Sequence, residues 1–212
     1  MLKMNNITKT FNGGTVDERV ALDHLSLTLN DGDFVTVIGG NGAGKSTMQN
    51  AICGTWRPDE GSIELDGVNV SALPEYKRAR YLGRVYQDPM MGTSAGMEIE
   101  ENLALTLLMA TLRKPKLLLL DEHTAALDPQ TAQRVMDITD RLVRENHLTT
   151  LMITHNMRDA IHYGNRLIML HKGRVVLDIS GEEKAKLTVP QLLELFSRVS
   201  GEEYDNDRAL LA

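Results

Sequence analysis

The sequence is short of three things. It has one cysteine, Cys53, so no internal disulfide can form, and this usage fits a reducing compartment. It has no long apolar run. The longest, Leu103 to Leu112 with two threonines counted in, is ten residues, where a membrane-crossing helix needs about twenty. It is also short of positive charge, with 23 Lys and Arg against 29 Asp and Glu, a net −6 and a pI near 5.5. That balance argues against a nucleic-acid binder unless the cations cluster. The first residues, Met1 to Asn6, alternate apolar and polar and show no charged-then-apolar signal pattern. The expectation is a cytoplasmic chain.

What is present is an ordinary globular composition: 212 residues, 42% apolar and 25% charged, enough for one domain with a sizeable core. Three short apolar runs read as buried strands: Phe34 to Ile38, Leu117 to Leu120 and Leu151 to Ile153. Helices punctuate them. Asp128-Pro129 sets an N-cap and first-turn proline ahead of Val135, Ile138 and Leu142. Asn156 caps a short helix carrying Met157, Ala160 and Ile161, stopped by Gly164. Thr188-Val189-Pro190 opens a last helix with Leu192, Leu193, Phe196 and Val199 on one face. Alternating strands and helices predict an α/β fold with a mainly parallel sheet flanked by helices. Residues 2–10, 22–29 and 61–70 alternate apolar and polar and carry the turn pairs Asp31-Gly32 and Asp66-Gly67. They predict a small antiparallel β subdomain beside the core. The acidic end, Glu202 to Asp207, reads as mobile.

Two stretches carry chemistry. Gly39-Gly40-Asn41-Gly42-Ala43-Gly44-Lys45-Ser46 matches G-x-x-x-x-G-K-[ST] between a strand and a helix. Glycines let backbone N–H groups wrap a phosphate, and the following helix offers its positive end to the same anion. Lys45 reaches the terminal phosphates and the Ser46 hydroxyl suits Mg²⁺. A glycine-rich turn with a chance Lys-Ser is the plain alternative. Leu117 to Leu120 then leads into Asp121-Glu122 at the carboxyl end of a strand, where open α/β sheets bind ligands. An acid there can hold Mg²⁺ through water, and a second can orient or deprotonate an attacking water.

Together these motifs resemble the ATP-binding subunit of an ABC transporter, of bacterial importer flavour, over nearly all 212 residues. Gly39, Gly40, Asn41, Gly42, Ala43, Gly44, Lys45, Ser46 and Thr47 resemble the Walker A motif of this P-loop NTPase family. Leu117 to Glu122 resembles Walker B. Thr124 to Asp128 is similar to the D-loop, Arg84 to Pro89 to the Q-loop, and Ile153-Thr154-His155 to the switch-histidine strand end. The resemblance implies an ATPase with ATP and Mg²⁺ as cofactors. It implies Glu122, His155 and Gln87 as catalytic residues, and Ser46, Gln87 and Asp121 around the metal. Phe11 falls where the family stacks an aromatic on adenine, although such a residue also serves to cover a sheet edge. Asp128 serves as N-cap, D-loop residue or both. His123 departs from the family, which has proline there; an imidazole so near the acids can titrate near neutrality, and a neutral substitution is the favoured reading. Cys53 reads as a small core residue.

The family's signature, Leu-Ser-Gly-Gly-Gln at the start of a helical subdomain, is missing. Only 34 positions separate Gln87 from Asp121, and Met97 to Lys114 reads as one helix with Ile99, Leu103, Leu107 and Ala110 on one stripe. The expectation is one ABC-type domain over 1–212, truncated between about 97 and 115. The join lies within Leu103 to Leu107 and one unbroken helix runs from Met97 to Arg113. Deletion by design, a sequence assembled from ordered residues only, and natural loss explain this in descending order. The resemblance implies a membrane permease subunit and a second ATPase subunit as partners, with the chain peripheral to the inner face of the membrane when assembled, and no nucleic acid. Hydrolysis should suffer, because the signature motif of one subunit caps the nucleotide of the other. The alternative is an engineered minimal nucleotide-binding scaffold without transport activity. A DNA-repair ATPase of the same family fits less well, since that branch carries long insertions where this chain is short.

Overall fold

The computed structural model describes residues 1–85, 99–112, 114–125 and 127–200. The chain begins with β1 (Leu2–Phe11) and β2 (Arg19–Leu29), whose alternating side chains bury Leu2, Met4 and Ile7 against Leu25, Leu27 and Leu29. Next come β3 (Phe34–Ile38) and α1 (Lys45–Cys53), then β4 (Glu60–Leu65), β5 (Val68–Asn69) and a short α2 (Glu75–Arg78). β6 (Leu82–Val85), α3 (Ile99–Leu112), β7 (Leu117–Asp121), α4 (Pro129–Glu145) and β8 (Thr150–Ile153) follow. The described chain closes with α5 (Met157–His162), β9 (Arg166–His171), β10 (Arg174–Ser180), α6 (Gly181–Ala185) and α7 (Val189–Ser200).

Among the described residues these strands form two sheets. One is antiparallel, in the order β2-β1-β4-β5. The other, β10-β9-β3-β8-β7-β6, is parallel except for the β9–β10 hairpin at one edge. The expected architecture, a mainly parallel sheet flanked by helices with a small antiparallel unit beside it, is what is seen. Every residue of β3 is buried, and Leu117 to Leu120 of β7 are each at most 1% exposed. A strand covered on both faces needs such an uninterrupted apolar run. The largest cluster of buried side chains joins the inner faces of both sheets with Met48, Ile52 and Cys53 of α1.

The local signals act where expected, with two exceptions. Asp128 caps α4, its carboxylate accepting from the N–H groups of Gln130 and Thr131 at 3.1 Å. Asn156 caps α5 in the same way, accepting from Arg158 and Asp159, and Gly164 turns the chain beyond that helix with φ +74°. Asp66 and Gly67, both at positive φ, make the tight β4–β5 turn. Asp31-Gly32, however, is not a turn within the antiparallel sheet. It passes the chain from β2 to β3 in the other sheet, with Asp33 N–H donating to Asn30 O at 3.1 Å. The β9–β10 hairpin escaped the sequence reading altogether. Its turn, Lys172-Gly173, has both residues at positive φ, but lysine is a weak turn signal next to asparagine or aspartate.

The helix across the expected join is unbroken from Ile99 to Leu112; positions 97, 98 and 113 lie outside the described residues. It is seated closely. A Cβ added at Gly83 of β6 would stand 2.7 Å from Ala110 O, so only glycine permits this approach. Leu107 is 1% exposed and packs with Val85, Leu118, Leu120 and Met136. The opposite face is apolar too and uncovered: Leu105, Leu108, Met109 and Leu112 are 39 to 69% exposed. The contrast defines a test by urea titration. Leu107→Ala is expected to cost ~2–5 kcal/mol, whereas Met109→Ser is expected to change stability by less than about 0.5 kcal/mol. Equal effects would mean that α3 is not seated on this face.

Candidate functional site

The end of β3 delivers the glycine loop. Gly39 has φ +153°, and a Cβ there would lie 2.4 Å from Leu170 O; at Gly44, φ +102°, it would lie 2.7 Å from Ala21 O. No side chain caps the first turn of α1, and no acidic residue sits in it. Its leading N–H groups and the positive end of the helix therefore face the cleft uncompensated, the arrangement that favours an anion. Lys45 folds back over the loop, donating to Gly39 O at 2.7 Å and Gly40 O at 3.3 Å. Burial lowers its pKa from the ordinary value, opposed by the charges of Glu122 and Asp121. A cation resting on two carbonyls exchanges them readily for the stronger acceptor a phosphate oxygen provides.

The loop, Phe11, Arg19, Asp121 and Glu122 line one cleft of about 370 Å³. The carboxylates reach it because β7 lies between β6 and β8, with Asp121 in register with Ile153. Burial raises the Asp121 carboxyl, with the nearby Arg84 guanidinium opposing. Ser46 and Asp121 together offer hard oxygen donors, the chemistry Mg²⁺ prefers. Glu122 stands just past the strand in left-handed backbone, φ +45°, held by its N–H bond to Ile153 O at 3.0 Å. A non-glycine residue in that region stores on the order of 1–3 kcal/mol, and such strain gathers at functional sites. Its Oε2 lies 3.4 Å from His155 Nδ1. This contact, chiefly as a hydrogen bond, lowers the Glu122 pKa and raises that of half-exposed His155.

Of the residues singled out from sequence, Lys45, Ser46, Asp121 and Glu122 thus surround one cleft, with Asn41, Gly42, Ala43, Gly44 and Thr47 in its lining. Gly39 and Gly40 contribute the carbonyls under Lys45, and His155 joins through Glu122. Phe11 stands at the rim, 36% exposed, edge-on to Trp56 with ring centroids 6.0 Å apart. Gln87 lies outside the described residues. His123 is buried, at 4% exposure, which pushes its pKa down to about 4, and its Nε2 sits 3.3 Å from Thr139 Oγ1. Of the two readings, this agrees with the favoured one, a neutral substitution, and not with an imidazole titrating near neutrality.

Three residues at the site had no role assigned from the sequence, Arg84 being named only as the start of the Q-loop stretch. Arg19 stands opposite Phe11 in the β1–β2 register and donates to Gly42 O at 3.4 Å. Gln49 and Arg84 surround the Asp121 carboxylate from behind. The sequence held one usable signal: Gln49 is a polar residue on the buried face of α1, between Met48 and Ile52.

Comparison with known proteins extends the geometry. Residues 22–106 match the family model described as ABC transporter. The chain is 39% identical to a tyrosine transport ATP-binding protein of Clostridioides difficile, over 92% of this chain and 98% of that protein. It is 30% identical to the methionine import ATP-binding protein MetN of Bartonella henselae, over 90% of this chain and 67% of that protein. Among solved structures, cbiO1 from Clostridium perfringens, part of the ABC transporter complex cbiONQ, superposes with a TM-score of 0.72 at 21% identity, covering 93% of this chain and 94% of that one. A dimeric ATP-binding cassette in a post-hydrolysis state with ADP and Pi gives 0.70 at 23%, covering 85% and 98%. At those identities the structures speak for the fold alone. The alignment with the tyrosine transport protein spans 247 residues although this chain has 212, so the relative carries residues without counterpart here. The family-model match ends at residue 106, inside α3.

The Glu122–His155 contact has a pH signature. His155, raised above 6.5, adds stability that is complete below 6.5 and is lost as pH rises through its folded value. Glu122, lowered below 4.5, adds stability that is present above 4.5 and is lost as pH falls through its folded value. The pair is therefore at full strength between these limits. A ring-proton NMR titration should place His155 above 6.5, and Glu122→Gln should move the midpoint down. A midpoint that Glu122→Gln leaves in place would show that the two groups do not interact.

Proposed function

The chain belongs to the ATP-binding subunits of ABC transporters, of the importer type, and from that membership we propose that it binds Mg·ATP at this cleft with its own turnover held low. ATPases of this family bind ATP, typically with Mg²⁺. The observation that carries the reading is the single cleft in which an uncompensated helix N-terminus, Lys45, Ser46, Asp121 and Glu122 converge. In the proposed arrangement the backbone of residues 40–47 and Lys45 hold the β- and γ-phosphates. Ser46 and Asp121 hold the metal, together with Gln87, and Phe11 stacks on adenine. Bound Mg²⁺ supplies charge neutralisation on the phosphates. Glu122, ionised, accepts a proton from the attacking water, and His155, in contact with Glu122, holds the γ-phosphate or the attacking water.

Low turnover follows from what the sequence lacks. Without Leu-Ser-Gly-Gly-Gln, a second copy closing head to tail brings no backbone N–H groups to the opposite side of the γ-phosphate, and that electrostatic contribution is a large part of such catalysis. The missing stretch belongs between about residues 97 and 115, in keeping with the match that ends at 106 and with a relative longer by an internal segment. Relatives named for tyrosine transport and methionine import support an amino-acid importer as the parent system. In that system the chain docks on a permease at the inner face of the membrane.

Two measurements test this. Calorimetry should show Lys45→Ala losing ~1.5–3 kcal/mol of Mg·ATP binding, the contribution of one charge-assisted contact and about 10- to 150-fold in Kd. Unchanged affinity would overturn the assignment. Steady-state hydrolysis should run about 10²-fold or more below that of a relative with an intact signature motif. Equal turnover would show that the missing motif is not needed.

A further inference from the structure

Asp121 is gripped by a side chain from α1. Gln49 is fully buried, and its amide nitrogen stands 2.8 Å from Asp121 Oδ2 and 3.2 Å from Oδ1. The amide can be oriented only this way, since the reverse would set its oxygen against two carboxylate oxygens. Each carboxylate oxygen accepts more than one hydrogen bond, so a shared amide donor leaves lone pairs on both for a cation. On the other side, Arg84 brings a guanidinium nitrogen to 3.7 Å from Asp121 Oδ2, while donating to Asn50 Oδ1 at 3.1 Å. Gln49 and Asn50 are successive residues of α1, so two side chains of one helix fix the carboxylate and its neighbouring cation.

Their place on the helix matters. Gln49 lies three residues beyond Ser46, about one helical turn further along α1. We infer that Gln49 is a positioning residue for the Mg²⁺ site: by holding both oxygens of Asp121 from the helix that carries Ser46, it keeps these two of the proposed ligands in fixed relation. This rests on the proposed Mg·ATP site. An apolar residue at position 49 would fill the same space and leave the Asp121 carboxylate without its amide donor, free to turn toward Arg84, 3.7 Å away. Partners that orient a ligand from behind in this way are worth about 10- to 100-fold in metal affinity.

The experiment separates metal from nucleotide. The full chain, Gln49→Leu and Gln49→Met are titrated with ATP in EDTA, and with Mn²⁺ in the presence and absence of ATP, reading the EPR signal of free Mn²⁺. Both substitutions keep the side-chain volume close to that of glutamine. The expected result is a loss of about 10- to 100-fold in Mn²⁺ affinity, with ATP affinity in EDTA within twofold of the parent. A structural role alone would instead lower both affinities together. That outcome, or unchanged Mn²⁺ affinity, would overturn the inference. A parent chain that binds no ATP in either condition would overturn the proposed function, while the Mn²⁺ titration without nucleotide still decides the role of Gln49.

Discussion

Three backbones meet around Gly44 with no room for a side chain between them, and the architecture of the cleft depends on that meeting. A Cβ on Gly44 would stand 2.7 Å from Ala21 O and 3.3 Å from the Cα of Gly173; one on Gly173 would stand 2.8 Å from both Ala21 O and the Cα of Leu22. Hydrogen bonds complete the junction. Gly173 N–H donates to Ala43 O at 3.0 Å, and Asp23 N–H donates to Gly173 O at 3.1 Å. The glycine loop, the antiparallel sheet and the β9–β10 turn are thereby locked to one another. The cleft needs all three, because Phe11 and Arg19 come from one sheet while the carboxylates come from the other.

The second constraint is strand order. With β7 between β6 and β8, the two acids leave the sheet beside the end of β8, one position from where Thr154 and His155 emerge. The chain distance from Glu122 to His155 is spanned by α4 and β8, yet the pairing of parallel strands makes the two residues neighbours. No local feature of either segment specifies this. It follows from covering both faces of an apolar sheet with helices, which leaves the carboxyl ends of its strands as the open edge.

Legibility divides along that line. Signals that act over a few residues were readable: the N-caps at Asp128 and Asn156, the buried runs of β3 and β7, the Asp66-Gly67 turn, and the glycine loop itself. The continuity of α3 through the shortened region was also readable, because helical spacing and the lack of Gly or Pro are local properties. What depends on distant pairing was not. Asp31-Gly32 looks like a hairpin turn because its composition suits one, but tertiary packing sends the following strand into the other sheet. The low pKa of His123 follows from burial under α4, which its acidic sequence neighbours do not reveal. Arg19, Gln49 and Arg84 gain their meaning only when β2, α1 and β6 are brought to one cleft. Of these, Gln49 alone leaves a trace in the sequence, as an amide among apolar helix positions.

The lone thiol of Cys53 closes α1 at its far end, 3% exposed, with burial pushing its pKa up to about 11. Alkylating reagents attack thiolates, and at pH 7 a group with that pKa is ionised only about one part in ten thousand of the time. Modification therefore proceeds through excursions in which the end of α1 leaves the core, so the labelling rate counts those excursions. Because the same helix begins at Lys45, a ligand that grips its first turn would slow the modification of a sulfur two turns away. The chain thus carries a built-in reporter on the rigidity of α1, with no probe added.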